Sequence, residues 1–394
     1  MKKSLYVYPW DLADEGIETV LERAKANGLD DIAVAVSYHA GKFLLPHNPV
    51  HRVYFPEDGT VYFPVREARY RNSVMKPAVA SLVAGRDLME ELADQCRRFD
   101  LNLIAWFVGL HNSRLGGKHP GLTARNAYGD SYVYSLCPSR PEVRDYVRAV
   151  LSDLVEACTW DRALLESFSY LGFFHGYHHE FYGREPDPWE SVLLSLCFCD
   201  GCAAAARKEG LDPVRLAADV RESLDRSLAQ ERGGRIDADS DAKFRRRLPG
   251  YPELAAYLNL RCRIVTALLA EARQILKTRN VGMDVCGPVY APSVELADTE
   301  GLDLKAIGEL SDHFTLIVSD APLSEIEQAI EYVKGRIDAR KIIASLRLGY
   351  GNSSRDDFLA RVALVRKHRL YGFNAYHYGT VPLPRLEWLS GGEK

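Results

Sequence analysis

The chain has 394 residues, a formal net charge of −4, and a composition that is 47% hydrophobic and 26% charged, as in an ordinary water-soluble globular protein. There is no basic excess to hold nucleic acid or an anionic membrane surface, so neither is expected as a partner. At this length a barrel with insertions can occupy residues 1–394 as one domain.

The N-terminus, Met1-Lys2-Lys3-Ser4, begins basic but leads into no long apolar run and no small-residue cleavage site, so a cytoplasmic location is expected. A β-rich run over 5–10 precedes an amphipathic stretch over 16–27. The second strand, 32–38, opens an aromatic- and Pro-rich insertion, about 39–83, with a hairpin expected around Glu57-Asp58-Gly59-Thr60 and a helix over 85–99 beyond it. Strand 103–108 leads to helix 141–158. Strand 163–168 leads to a second insertion, about 170–252, which ends in Arg245-Arg246-Arg247 before a long helix over 253–279. The remainder alternates regularly: strands 281–286, 314–318, 342–347 and 373–378, with helices 304–309, 323–337 and 354–368. Eight strands alternating with helices predict an α/β fold, a (β/α)8 TIM barrel with long insertions after strands 2 and 4. No G-x-G-x-x-G follows the first strand to suggest a dinucleotide fold.

Residues at the C-terminal ends of barrel strands converge on one pocket, and here those ends are polar and aromatic. In chain order they carry Trp10 and Asp11, His39, Trp106 with His111 and Asn112, Glu166 with the following His175-Gly176-Tyr177-His178-His179-Glu180, Asp284, Asp320, Arg347, and Tyr376-His377-Tyr378. Glu166 follows the apolar run Ala163-Leu164-Leu165, where a carboxyl must be partnered or functional to be retained near a core.

Cys137 and, sixty residues later, Cys197-Phe198-Cys199-Asp200-Gly201-Cys202 form a single-Cys plus C-x-C-x-x-C pattern. Thiolates are soft ligands, and short spacers let one turn present several sulfurs to one ion, so Cys137, Cys197, Cys199 and Cys202 are expected to bind structural zinc. Cys96, Cys158, Cys262 and Cys286 stand alone and read as buried thiols. Such usage fits a reducing compartment better than a disulfide framework.

The stretch Ser135-Leu136-Cys137-Pro138-Ser139-Arg140-Pro141, the fourth strand and the C-x-C-x-x-C run together resemble the zinc-bearing β-galactosidases of glycoside hydrolase family 42 and related clan-A barrels. The ending Phe373-Asn374-Ala375-Tyr376-His377-Tyr378-Gly379 with Pro384-Arg385-Leu386-Glu387-Trp388 is similar to the closing strand and helix of glycosidase-like barrels. The resemblance implies a structural zinc on the four cysteines and an acid/base glutamate at the end of strand 4. It departs at the catalytic pair: strand 4 reads Leu165-Glu166-Ser167 without the clan's Asn-Glu, and strand 7, ending Leu346-Arg347-Leu348, has no carboxylate.

A glycoside hydrolase acting on small glycosides or oligosaccharide ends is therefore expected, working through two carboxyl groups. Glu166 is the candidate acid/base, Asp320 the first choice for its partner and Asp284 the second. Trp10, Trp106, Tyr376 and Tyr378 would stack on sugar faces. His39, His178, His179 and Arg347, with Asp11 and His111 nearby, would bind hydroxyls or a carboxylate. Two alternatives remain open. One is a metal-dependent sugar isomerase or lyase using Glu166, His178, His179, Glu180, Asp284 and Asp320, although adjacent histidines point apart on a regular element. The other is a non-catalytic sugar-binding barrel. A homo-oligomer is left open as well.

Overall fold

The computed structural model describes residues 1–174, 184–230, 240–289, 293–318, 321–348 and 354–390. Eight parallel strands close into a barrel: β1 Lys2–Val7, β2 Asp31–Tyr38, β3 Asn102–Val108, β4 Arg162–Glu166, β5 Gly282–Cys286, β6 His313–Ile317, β7 Ile342–Arg347 and β8 Gly372–Tyr376. Closure is made by β1, which pairs with β8 through Lys2–Gly372 and with β2 through Ser4–Asp31. Around it lie α1 Ile17–Ala26, α2 Leu88–Arg98, α3 Pro141–Ala157, α4 Pro252–Lys277, α5 Leu304–Leu310, α6 Leu323–Lys334 and α7 Arg355–Lys367. Each helix turns an apolar stripe inward; on α4 this is Leu254, Leu258, Val265, Leu268, Leu269, Ala272 and Leu276, all buried. These are the parallel βα units that the alternation predicts, and the fold class is a TIM barrel.

The first strand stops sooner than expected. Proline cannot donate to a sheet ladder but suits the first turn of a helix, so the chain leaves β1 at Val7 and Pro9–Glu15 coils into a short helix. The first insertion also differs in detail. Its hairpin pairs Phe43–Leu44 with Val53–Tyr54, whereas Glu57-Asp58-Gly59-Thr60 leads into Thr60–Val61, which runs antiparallel to the end of β2. The hairpin has two faces: Phe43 and Tyr54 pack inward on Trp10, while Leu44 and Val53 point to solvent. In the second insertion the described residues form helices Pro188–Leu194, Asp200–Lys208, Pro213–Leu228 and Ser240–Arg247.

Inside the barrel the floor, at the N-terminal ends of the strands, is ionic. Arg162 donates to Asp284 Oδ2 (3.0 Å) and Asp31 Oδ2 (2.8 Å). His313 Nδ1 lies 2.8 Å from Asp284 Oδ1, and Ser4 and Asn102 donate to Asp31. Asp31, Arg162 and His313 are the first residues of their strands, so Asp284, expected as a catalytic carboxylate, is turned down into this network. Its two oxygens already answer a guanidinium and an imidazole, which makes it a barrel-closing group.

Candidate active site and metal centre

The upper end of the barrel is built by strand parity. In β4 the side chains of Arg162, Leu164 and Glu166 face one way, so the strand that anchors the floor with its first residue presents a carboxyl at the mouth with its last. Trp106 lies opposite Leu164 in the β3–β4 register, and its indole Nε1 donates 2.7 Å to Glu166 Oε2. Burial pushes the Glu166 carboxyl up to about 7, and the Trp106 hydrogen bond only partly opposes this. At neutral pH a substantial fraction of Glu166 thus keeps its proton. The next residue, Ser167, takes a left-handed φ of 55°, which bends the chain out of the strand immediately after the carboxyl. From there Ser169 Oγ donates 3.2 Å to Glu300, a buried carboxylate beyond β5.

Three phenols share hydrogen bonds beside Glu166: Tyr8 to Tyr38 (2.9 Å) and Tyr8 to Tyr376 (3.1 Å). Burial holds all three hydroxyls protonated, above the ordinary tyrosine value. Tyr6 packs edge-on to Trp106 at 4.7 Å and to Tyr376 at 5.3 Å. His377, which follows a cis peptide after Tyr376, is lowered to about 3 by burial and then by Arg347. Burial also lowers His39, which stacks on His111 with 3.9 Å between ring centres. The Arg347 guanidinium lies 6.0 Å from the Tyr376 ring centre. Among the described residues the mouth therefore offers uncharged imidazoles and phenols, the Arg347 guanidinium and, in Glu166, a carboxyl that can hold its proton.

The structure brings Glu166, Trp106, Tyr376, Arg347, His39 and His111 to this end of the barrel, but gives four expected ligand-binding residues, Trp106 among them, other work. Trp10 is 0% exposed, stacked on Tyr8 at 4.3 Å and packed against Tyr54, so neither ring face is open to a sugar. Asp11, also fully buried, accepts the Tyr8 backbone N–H (3.0 Å) and lies so close to Gly379 that a Cβ there would come within 2.1 Å of Oδ1. Tyr378 turns outward, where its hydroxyl donates to Glu15 (2.7 Å) and meets Arg23. Trp106 is 1% exposed and serves Glu166 as a donor in place of the stacking platform expected of it. Asp320, His178 and His179 lie outside the described residues.

Tyr6, Tyr8, Tyr38 and Glu300 were not among the expected site residues. Parity would have indicated the first three: Tyr6 and Tyr8 alternate at the end of β1, and Tyr38 is the last residue of β2. Glu300 has no comparable signal, because it lies fourteen residues past the end of β5 in an irregular 3₁₀ segment.

The four expected cysteines do come together. Their sulfurs are buried and all lie within 4.8 Å of one another, with Cys137 3.7 Å from Cys197, 3.6 Å from Cys202 and 3.5 Å from Cys199. A tetrahedron with metal–sulfur bonds of about 2.3 Å has edges of about 3.8 Å, so this donor set fits zinc. The surroundings suit thiolates: the Arg125 N–H donates to Cys197 Sγ (3.3 Å), the Tyr170 hydroxyl lies 3.4 Å from Cys202 Sγ, and Ser139 Oγ is 3.0 Å from Cys137 Sγ. Cys96, Cys158, Cys262 and Cys286 sit apart from this cluster as isolated thiols.

No protein-family model matches the chain, and no curated protein matches it. Solved structures do. The PgaB (BpsB) glycoside hydrolase domain from Bordetella bronchiseptica superposes with a TM-score of 0.60 at 14% identity, covering 95% of this chain and 94% of that one. The α-L-fucosidase isoenzyme 2 from Paenibacillus thiaminolyticus gives 0.56 at 11%, over all of this chain and 49% of that one. The β-galactosidase from the psychrophilic Marinomonas ef1 gives 0.55 at 12%, over all of this chain and 59% of that one. At these identities the likeness is one of fold: the chain is built on the same TIM barrel as these glycoside hydrolases.

Proposed function

We propose that the protein is a glycoside hydrolase acting on small glycosides or oligosaccharide ends, with Glu166 as general acid and a structural zinc on Cys137, Cys197, Cys199 and Cys202. The reading is carried by Glu166, a carboxyl at the end of barrel strand 4, pushed up to about 7 and held by Trp106 beneath an array of phenols and imidazoles. A leaving glycosidic oxygen needs a proton as its bond breaks, and an acid titrating near the working pH delivers one most effectively. Tyr38, Tyr376 and His39 would bind sugar hydroxyls, and Arg347 would bind a hydroxyl or carboxylate. The glycoside hydrolases that share the fold favour the same chemistry by analogy.

Hydrolysis also needs a nucleophile or base on the opposite face of the sugar. With Asp284 engaged on the floor, Asp320, three residues after β6 in the sequence, is the proposed partner. The zinc resembles that of the family 42 β-galactosidases, and no step of the reaction passes through it: four thiolates leave no open position for water. The test is Glu166→Gln. Turnover on unactivated glycosides should fall by at least about a hundredfold, and by much less on aryl glycosides whose leaving group hardly needs a proton. Equal losses on both, with a lower melting temperature, would remove the assignment.

A further inference from the structure

Helix α4 turns two polar side chains, Tyr257 and Arg261, from one face toward the four-cysteine cluster. The Tyr257 hydroxyl donates to the Cys197 carbonyl, and its ring stacks on Phe198. One turn later Arg261 is 1% exposed. Its Nη2 donates 3.2 Å to the carbonyl of Ser195, two residues before Cys197. Its guanidinium carbon sits 4.2 Å from the ring centre of Tyr170, the residue whose hydroxyl meets Cys202 Sγ. Among the described residues, Arg261 Nε and Nη1 have no hydrogen-bond partner and no carboxylate answers them.

A guanidinium stays charged even when buried, and an uncompensated buried charge is strongly unfavourable. The Tyr170 ring supplies only part of the compensation. The remainder follows from a charge count at the neighbouring cluster. Four thiolates around one divalent zinc carry a net charge of −2. We infer that Arg261 is the counter-cation of this doubly negative metal centre, a positioning residue that touches no ligand sulfur itself but makes the loaded state the electrically balanced one. The inference rests on the zinc reading above. Without the ion the same core holds a buried cation with no doubly negative metal centre beside it, so metal binding and the burial of Arg261 should be energetically coupled.

The experiment uses the full chain. Zinc content of the wild type is measured first, and zinc affinity is then obtained by competition with a chelator of known affinity for wild type, Arg261→Lys and Arg261→Met. Loss of an outer partner of a metal site weakens binding by about 10- to 100-fold, and this is expected for Arg261→Met. Arg261→Lys, which keeps the charge, should stay within about threefold of wild type. Zinc-loaded Arg261→Met should melt below zinc-loaded wild type, whereas the two metal-free proteins should melt together or in the reverse order. Equal zinc affinity in all three proteins would overturn the inference. So would a lysine variant as weak as the methionine variant, or a loss of melting temperature that is the same with and without metal. If Arg261→Met does not fold, Arg261→Gln against Arg261→Lys makes the same comparison. A wild type that carries no zinc removes the metal reading itself, and the inference with it.

Discussion

Replacing Glu166 by glutamine should make the protein more stable, and only above a certain pH. The carboxyl has an ordinary value of 4.5 and is pushed up to about 7 in the folded chain. Between those values the unfolded chain has released a proton that the folded chain still holds, so stability falls as pH rises through this window and levels off above the folded value. A difference of roughly 2.5 units at about 1.36 kcal/mol each amounts to about 3 kcal/mol. Glutamine keeps the shape and can accept the Trp106 N–H, but has no proton to lose. Wild type and Glu166→Gln should therefore be equally stable near pH 4 and diverge to about 3 kcal/mol in favour of the variant near pH 8. Urea unfolding at half-unit steps of pH reads this directly. Asp11, also pushed up to about 7 by burial, is common to both proteins and cancels in the difference. The same ionisation should give kcat/KM an alkaline limb near pH 7, since the general acid is lost there. A stability difference that stays constant with pH, or a variant less stable than wild type at pH 8, would refute the argument that burial sets the Glu166 proton.

Trp106→Phe removes a donor that favours the ionised carboxyl, so the alkaline limb should move up by about one pH unit; an unmoved limb would mean that the indole does not tune Glu166. Asp284→Asn leaves Arg162 short of one counter-charge and should cost about 3 kcal/mol in denaturant unfolding with turnover little changed. Asp320→Asn should do the opposite, losing about a hundredfold in turnover at nearly constant stability, and the reverse pattern in either variant would exchange their roles. Cys199→Ser should lose zinc and melting temperature together, as metal analysis and thermal unfolding can show, whereas Cys96→Ser, far from the cluster, should leave the metal content unchanged.

Periodicity made the barrel legible. Strands β2 to β8 begin within one residue of their expected starts, because each is a short apolar run bounded by turn or helix signals, and β7 coincides at 342–347. The cysteine cluster was legible too, since a close-spaced ligand set encodes its own geometry. Three-dimensional direction was not. Asp284 looks like a strand-end carboxylate in the sequence, but its partner Arg162 lies 122 residues away and nothing local shows that it faces the floor. Trp10 and Asp11 follow the first strand in sequence, yet Pro9 starts a helix there and carries both into the wall behind the mouth. Tyr378 sits two residues beyond the end of β8, where the strand parity that aims Tyr376 inward no longer governs it.

The ionic floor bears on the order in which the chain can fold. Arg162 ties β4 to an aspartate 131 residues earlier and to another 122 residues later. Contacts of such long sequence separation pay their loop-closure entropy before they return any stabilisation, so this link belongs to the late steps of folding. A nascent chain that has completed only the first four strands holds Arg162 and Asp31 but not Asp284 or His313, and it also lacks the strand that pairs with the outer edge of β1. Half-barrels of this chain thus carry an open sheet edge and an underpaired cation at the same time. The assembled floor is a marker of completion, satisfied only once the strands on both sides of β4 are in place.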